Sequence, residues 1–300
     1  MRITQRAVTL TALQGLNGNL NAVNKLQQQL TSGKTISRPS DSPTGTNTSM
    51  LTRADMAGVE QQSRNITDGT AVLDATDAAL QDMLDQAHRV RDLTVQALNQ
   101  GALNDPAREA IAAQVGGLRE SLLGQANQVV QGRPLFGGVT TGKQAYDADG
   151  LYVGIGGAGG DPVIPLTRRV SDVEAIRIDI TGPEAFGDPA SGKDLFAVVQ
   201  SIAAHVADPT ALAADLEDLD AAINTMLTAT ADVGTRGARL EIAASLNAGA
   251  QLTLAAKLAA NEDVDLPKTI MNLQMQQTGY QAALQATAQV IQPTLLDFLR

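Results

Sequence analysis

LPKTIMNLQMQQTGYQAALQATAQVIQPTLLDFLR, residues 266–300, is the stretch whose reading decides the fold. Large or apolar side chains recur in it at Ile270, Leu273, Tyr280, Leu284, Ile291, Leu295 and Phe298, with Gln277 and Thr287 filling the gaps. The steps are three or four residues, the spacing of a narrow coiled-coil seam. Ordering so long a helix costs more conformational entropy than its seam side chains return by burial. A partner helix must cover the seam.

The other end of the chain supplies one. Leu13, Leu16, Leu20, Val23 and Leu30 form a second seam with Gln27 in its gap, and Ile3 and Leu10 extend it upstream. Two seams at opposite ends predict termini that meet, with everything between them looped out. Their polar faces are unusual. Residues 1–38 hold nine Asn or Gln and no acidic residue, and residues 268–300 hold seven Gln with only Lys268, Asp297 and Arg300 as charges. A solvated helix usually carries interspersed charges of both signs. Neutral amides can be packed against neighbours without burying ions, whose desolvation costs several kcal/mol each. Both ends therefore read as helices covered on more than one side, in a polymer; an ordinary intramolecular coiled coil is the simpler alternative.

Three hundred residues suffice for two or three domains. Five of the seven aromatic residues (Phe136, Tyr146, Tyr152, Phe186 and Phe196) fall between positions 136 and 196, so that segment resembles a conventional compact core. The flanks rely on Leu, Ala and Val, as helical bundles do. The net charge is −10, and all of the negative excess lies in residues 39–267. That argues against nucleic acid and anionic membrane as partners. With no cysteine there can be no disulfide or thiolate metal site. No apolar run of signal-peptide or membrane-span length is visible, so export, if it occurs, uses another route.

Along the chain, the first helix should end near Gly33, before the break Arg38-Pro39-Ser40-Asp41-Ser42-Pro43-Thr44-Gly45. A helical stretch follows from about Thr46 to Asn99, with Val59, Ile66, Leu73, Leu80, Ala87 and Thr94 every seven residues. Asn104-Asp105-Pro106 is a helix start with an Asx cap and proline in the first turn, and its helix is expected to reach about Gln131. From Gly137 to Gly192 the chain is Gly- and Pro-rich, with strand-like runs at 151–153, 163–166 and 176–180. Helix resumes at Asp194–Val206 and again from Pro209 or Thr210, interrupted or merely loosened at Gly234 and Gly237, until Leu266-Pro267 opens the terminal helix. The expected fold is mainly α with a small inserted β domain: a long antiparallel helical bundle built from paired N- and C-terminal segments. Residues 1–38 and 266–300 form a terminal coiled-coil domain, 46–136 and 193–262 a bundle domain, and 137–192 a β-rich outer domain.

Chemical motifs are weak. Gly137–Gln144 reads G-G-V-T-T-G-K-Q and Gly187–Asp194 reads G-D-P-A-S-G-K-D. Both miss the hydroxyl that holds magnesium in a phosphate loop. Gly154, Gly156 and Gly159 fit G-x-G-x-x-G, but Asp161-Pro162 follows where the phosphate-binding helix should begin. His88 and His205 lack a partner histidine at metal-ligand spacing. Asp215, Glu217, Asp218 and Asp220 read as a solvated helix face. The expectation is no catalytic, cofactor or metal site.

The chain resembles the bacterial flagellin family. The resemblance rests on Leu30-Thr31-Ser32-Gly33-Lys34 with Arg38 to Gly45, close to the family form S-G-K…S-D-D-P-A-G, from which Ser42 and Thr44 depart mildly. It rests also on Val233-Gly234-Thr235-Arg236-Gly237-Ala238-Arg239-Leu240-Glu241, where Ala238 replaces a common Asn, and on the closing Leu295-Leu296-Asp297-Phe298-Leu299. Met1-Arg2-Ile3-Thr4 and the Gly132-Arg133-Pro134-Leu135-Phe136-Gly137-Gly138 turn are more similar to the hook-associated branch than to filament subunits. The resemblance implies a structural subunit at the junction between hook and filament, self-associated in a ring. The implied partners are the first hook-associated junction protein, filament flagellin and an export chaperone on the C-terminal helix. It further implies export through the flagellar type III channel without signal cleavage. A filament flagellin with a small outer domain is the alternative within the family. A membrane-active translocator would need an apolar span or a basic amphipathic helix, which the terminal helices lack.

Overall fold

The computed structural model describes residues 2–99 and 104–291. Helices dominate: α1 (Arg2–Ser32), α2 (Pro43–Leu98) and α3 (Asp105–Ala126) precede the β-containing segment. The strands β1 (Val129–Val130), β2 (Arg133–Pro134), β3 (Thr167–Arg169) and β4 (Ala175–Arg177) form two antiparallel hairpins. Helices α4 (Gly182–Phe186), α5 (Leu195–His205), α6 (Pro209–Glu262) and α7 (Leu266–Ile291) follow. The chain divides into two compact units, Met1–Gly58 with Ala250–Arg300, and Val59–Gly249. The boundaries fall inside α2 and α6.

Local chemistry sets most element ends. Beyond Ser32, Gly33 takes φ 68°, a left-handed conformation that stops α1. The Asn104 side chain caps α3 by accepting the Ala107 N–H at 3.1 Å, and Pro106 fills the first turn. Helix α3 stops at Ala126, short of the expected Gln131, because Asn127 turns its amide to the inserted segment. Its Oδ1 accepts the N–H groups of Ala145 and Tyr146 at 2.8 Å each, and its Nδ2 donates to the Tyr146 carbonyl at 2.9 Å. The turn joining β1 to β2 puts Gln131 and Gly132 at φ 52° and 80°, the signs a two-residue type I′ hairpin demands.

Helix α6 runs unbroken through Gly234 and Gly237. Val233 and Leu240, 1% and 0% exposed, anchor that turn of helix in the core, and packing overrides the glycine propensity. The strand expectations were only partly met. Of residues 176–180, Ile176 and Arg177 pair with Arg168 and Thr167 in a ladder that Ala175 completes, while 151–153 contributes a single bridge, Tyr152 to Tyr146, and 163–166 contributes none. The inserted segment is held more by turns than by ladders.

The core of the middle unit joins the buried faces of α2, α3, α5 and α6 to an aromatic cluster. Phe136 and Phe186 meet edge to face at 4.8 Å, and Tyr146 stands 4.6 Å from Phe196 and 5.4 Å from Tyr152. These are the five aromatics concentrated between positions 136 and 196. An ionic network crosses the same unit. Arg177 bonds Asp179 at 2.9 Å and Glu184 at 2.7 Å. Asp179 accepts the Leu166 N–H at 2.8 Å, and Glu184 closes a capping box with Thr181 at the start of α4. Arg168 on β3 bonds Asp68 on α2 at 2.7 Å. No helix among the described residues is long and apolar enough to cross a membrane.

Candidate assembly surface

In the terminal unit α1 and α7 pack against each other. They run antiparallel, since Lys34 just after α1 bridges Asp263 just before α7, while deeper in the pair Gln276 donates to Asn19 at 2.9 Å. Each helix turns one stripe inward. On α1 that stripe is Ala12, Leu16, Asn19, Val23, Leu26 and Leu30, and on α7 it is Leu273, Gln276, Tyr280, Ala283 and Thr287. The steps alternate between three and four residues, as a heptad requires.

The residues expected to form the seam divide between two stripes. Leu16, Val23, Leu30, Leu273 and Tyr280 lie on the inward one. Leu13, Leu20, Ile270 and Leu284 lie on a neighbouring stripe and are 41–47% exposed. The Ile291 side chain, Leu295 and Phe298 lie outside the described residues.

The balance between the two units is lopsided. Of the apolar residues buried in the described chain, Val23 alone belongs to the terminal unit. The same unit exposes eleven large apolar side chains, among them Leu10, Leu13, Leu20, Ile270, Met271, Met275 and Leu284. Soluble monomers expose single apolar residues freely, but a long run of them along paired helices marks a contact surface. A helix pair with so little burial also has little to hold it closed. In dilute monomer, amides of α1 and α7 are expected to exchange orders of magnitude faster than those of Leu80, Val115 or Ile202 in the middle unit. Exchange as slow at both ends as in that core would contradict this account.

Sequence reasoning missed a clamp that sets how the terminal helices leave their neighbours. The Thr35 N–H donates to the Glu262 carbonyl at 2.6 Å, and the Val264 N–H to the Gly33 carbonyl at 3.0 Å. Lys34 pairs with Asp263 at 2.6 Å, and the Asp263 hydrogen bond raises the lysine pKa. Glu262, 4% exposed, also takes Arg53 at 2.7 Å. On the other side of the loop, Asp41 accepts the N–H groups of Ser37 and Arg38 and pairs with Lys25 at 3.2 Å. Lys25 first, and then the Arg38 N–H, lower the Asp41 carboxyl to about 2. Asp41 thus folds the Pro- and Ser-rich break into a fixed turn. The pattern visible in sequence was a break; Lys34 and Asp263, like Arg53 and Glu262, are more than 200 residues apart and carry no local signal.

The phosphate-loop lookalikes are turns. Gly138 takes φ 65°, the Ile155 N–H donates to Gly137 O at 3.1 Å, and no helix follows Lys143. Gly187–Asp194 does lead into α5, but Asp194 occupies the N-cap and Asp188 accepts the N–H groups of Ala190 and Gly159. Carboxylates therefore stand where a phosphate would need open N–H donors. Gly154, Gly156 and Gly159 run into the short 3-10 turn Ala158–Gly160.

Folding does bring a serine, a histidine and an aspartate together, which spacing did not reveal. His205 Nδ1 lies 2.8 Å from Asp215 and 3.1 Å from Ser201 Oγ, which also donates to Asp215 at 2.9 Å. A hydrolytic triad places its serine on the opposite ring nitrogen from the carboxylate. With both partners on Nδ1, the cluster ties α5 to the start of α6. His88 lies on α2, where no metal-binding group of His, Asp or Glu forms among the described residues.

Residues 3–141 match the model for the bacterial flagellin N-terminal helical region. The chain is 27% identical to flagellar hook-associated protein 3 of Escherichia coli, covering 95% of this chain and 96% of that protein. It is also 27% identical to a flagellin of Bacillus subtilis, with all of both chains covered. A solved structure of a putative flagellar hook-associated protein from Vibrio parahaemolyticus superposes with a TM-score of 0.66 at 19% identity, over 74% of this chain and all of the other. At that identity the superposition speaks to fold.

Proposed function

We propose that this chain, which belongs to the bacterial flagellin family, is a structural subunit of the flagellum placed at the junction between hook and filament. The observation that carries the reading is the terminal unit, where among the described residues Val23 is the one buried apolar side chain and eleven large apolar side chains are exposed. Such a surface contributes stability only when neighbouring helices cover it, which fits a subunit and not an enzyme. The outer stripe, Leu13, Leu20, Ile270 and Leu284, faces adjacent subunits, while Leu16, Val23, Leu30, Leu273 and Tyr280 hold the α1–α7 pair. Residues 137–192 share the core of the middle unit and serve in this reading as its outer domain.

The partners in this reading are further copies in a ring, the first hook-associated junction protein on one side and filament flagellin on the other. A cytoplasmic export chaperone covers the C-terminal helix before assembly, and the protein reaches the cell exterior without signal cleavage. Similarity along the whole chain to hook-associated protein 3 favours the junction, and the full-length match to a flagellin keeps a filament role as the second reading. Deleting the gene in its host separates them. Hooks without filaments, with flagellin shed into the medium and rescue by the full-length chain, are expected from a junction protein. Cells that keep intact filaments would overturn the junction assignment.

A further inference from the structure

Asn17-Gly18 is the one Asn-Gly pair in the chain. In such a pair the backbone nitrogen of the glycine can attack Cγ of the asparagine and close a succinimide ring. The Cγ–Nδ2 bond breaks, and ammonia leaves with the amide proton. Water then opens the ring at either carbonyl, giving aspartate or isoaspartate. No reagent besides water is consumed. Glycine favours the reaction because it has no Cβ to obstruct the approach and its backbone turns freely into the ring geometry. A closed helix prevents it by holding the glycine N–H in the i→i−4 ladder, turned away from the asparagine side chain.

Asn17 and Gly18 lie in the middle of α1, both exposed, with nothing within 4 Å of where a Cβ on Gly18 would stand. Helix α1 is a weak lock. It carries Gly15 as well as Gly18, and each weakens a helix relative to alanine. Among the described residues its unit buries one apolar side chain, Val23. A helix held so loosely opens often. The two Asp-Gly pairs, which close the same ring with loss of water, are locked by contrast. Asp68 is bonded to Arg168 at 2.7 Å, and a Cβ on Gly69 would meet Ile178 at 3.0 Å. Gly150 is buried at φ 88°, and its N–H donates to the Asp147 carbonyl at 3.2 Å.

We propose that Asn17-Gly18 is a deamidation site at which unassembled copies of the chain age, and that assembly closes it. Asn17 stands four residues after Leu13 and three before Leu20, on the exposed stripe that the proposed function covers with adjacent subunits. Conversion puts a carboxylate in the middle of that stripe, in a segment, residues 1–38, that has no acidic residue. Burying that charge costs desolvation. Isoaspartate also lengthens the main chain by a methylene and breaks the helical ladder there. An aged copy is therefore excluded, whereas an incorporated copy has its α1 held closed by its neighbours. The effect on assembly rests on the proposed function; the chemistry at Asn17 rests on α1 alone.

The test starts from full-length wild-type protein, incubated as a dilute monomer and digested with trypsin at intervals. In the peptide from Ala7 to Lys25, Asn17 is expected to convert at least about tenfold faster than Asn19 and Asn21, read as a gain of about one mass unit. Isoaspartate, detected by enzymatic methylation, should form at residue 17 and stay at background at Asp68 and Asp149. Conversion no faster at Asn17 than at Asn19 and Asn21 overturns the site. The same peptide from isolated flagella, incubated alongside, should convert at least about tenfold more slowly than in monomer; equal rates overturn closure by assembly. Asn17→Asp should be depleted from flagella several-fold relative to the neutral Asn17→Gln, with the two melting temperatures alike. Equal incorporation of the two overturns the exclusion of aged copies. Wild-type chain missing from flagella altogether would remove the subunit reading, and the monomer rates would still decide the site.

Discussion

Leu284→Asp is expected to lower incorporation into flagella by at least about a hundredfold while leaving the isolated protein folded. Leu284 is 42% exposed on α7, next to the stripe that meets α1, so the monomer spends little on it. In an assembly it would be covered. Losing a buried leucine forfeits ~2 kcal/mol, and burying a carboxylate there adds a desolvation cost of the same size or more. Every 1.4 kcal/mol is about tenfold in affinity. Two measurements decide the matter: the thermal transition of the purified variant, expected to match wild type, and its abundance in sheared flagella. Normal abundance would remove Leu284 from the assembly seam. The parallel substitution at Leu273, which lies on the inward stripe, should instead loosen the α1–α7 pair in the monomer itself. The contrast between 273 and 284 tests the division into two stripes, which neither substitution alone could do.

That division shows where sequence reading reaches its limit. A heptad of three- and four-residue steps was legible at both ends because Leu, Ile and Tyr stand out from a background of amides. Sequence could not separate the inward stripe from the outward one. Small and polar residues such as Ala12, Asn19, Gln276 and Ala283 occupy inward positions, and large apolar ones such as Leu13, Leu20 and Ile270 face outward. In a monomeric coiled coil the rule would run the other way. Helix ends at Gly33 and Asn104 were equally legible, since their signals are local. The clamp joining Lys34 to Asp263 and Arg53 to Glu262 was not, nor was the meeting of Ser201, His205 and Asp215, because partner choice among surface charges leaves no periodic trace. The run 151–153 failed as a strand for a related reason. Tyr152 turns into the aromatic cluster while Leu151 and Val153 stay exposed, and one inward side chain does not make a ladder.

Arg177→Met should be the most damaging single change among the ion pairs of the middle unit, at about 3 kcal/mol. Removing one partner of a largely buried network leaves the other charges without compensation, which costs ~3–5 kcal/mol when burial is complete. Here the Asp179 side chain is 6% exposed, Glu184 32% and Arg177 20%, so the lower end applies. For a unit of this size the melting temperature should drop by roughly 6–12 °C. Arg91→Met removes a pair of similar length to Asp220, but both side chains are over 40% exposed, and a surface pair contributes only ~0–1 kcal/mol. Equal effects from the two substitutions would mean that burial does not govern these pairs. The network also sets the acid limit of the unit. Burial works against ionisation of Glu184, yet hydrogen bonds from Arg177 and Thr181 outweigh it and hold the folded pKa at about 2, below the ordinary 4.5. The folded state therefore binds the proton less readily than the unfolded chain does. Its contribution is complete above the ordinary carboxylate range and is lost as pH falls from there through the folded value. Wild type should lose stability over that acid window, and Arg177→Met, having already lost the partner that depresses the carboxyl, should show a flatter dependence across it in urea titrations at stepped pH.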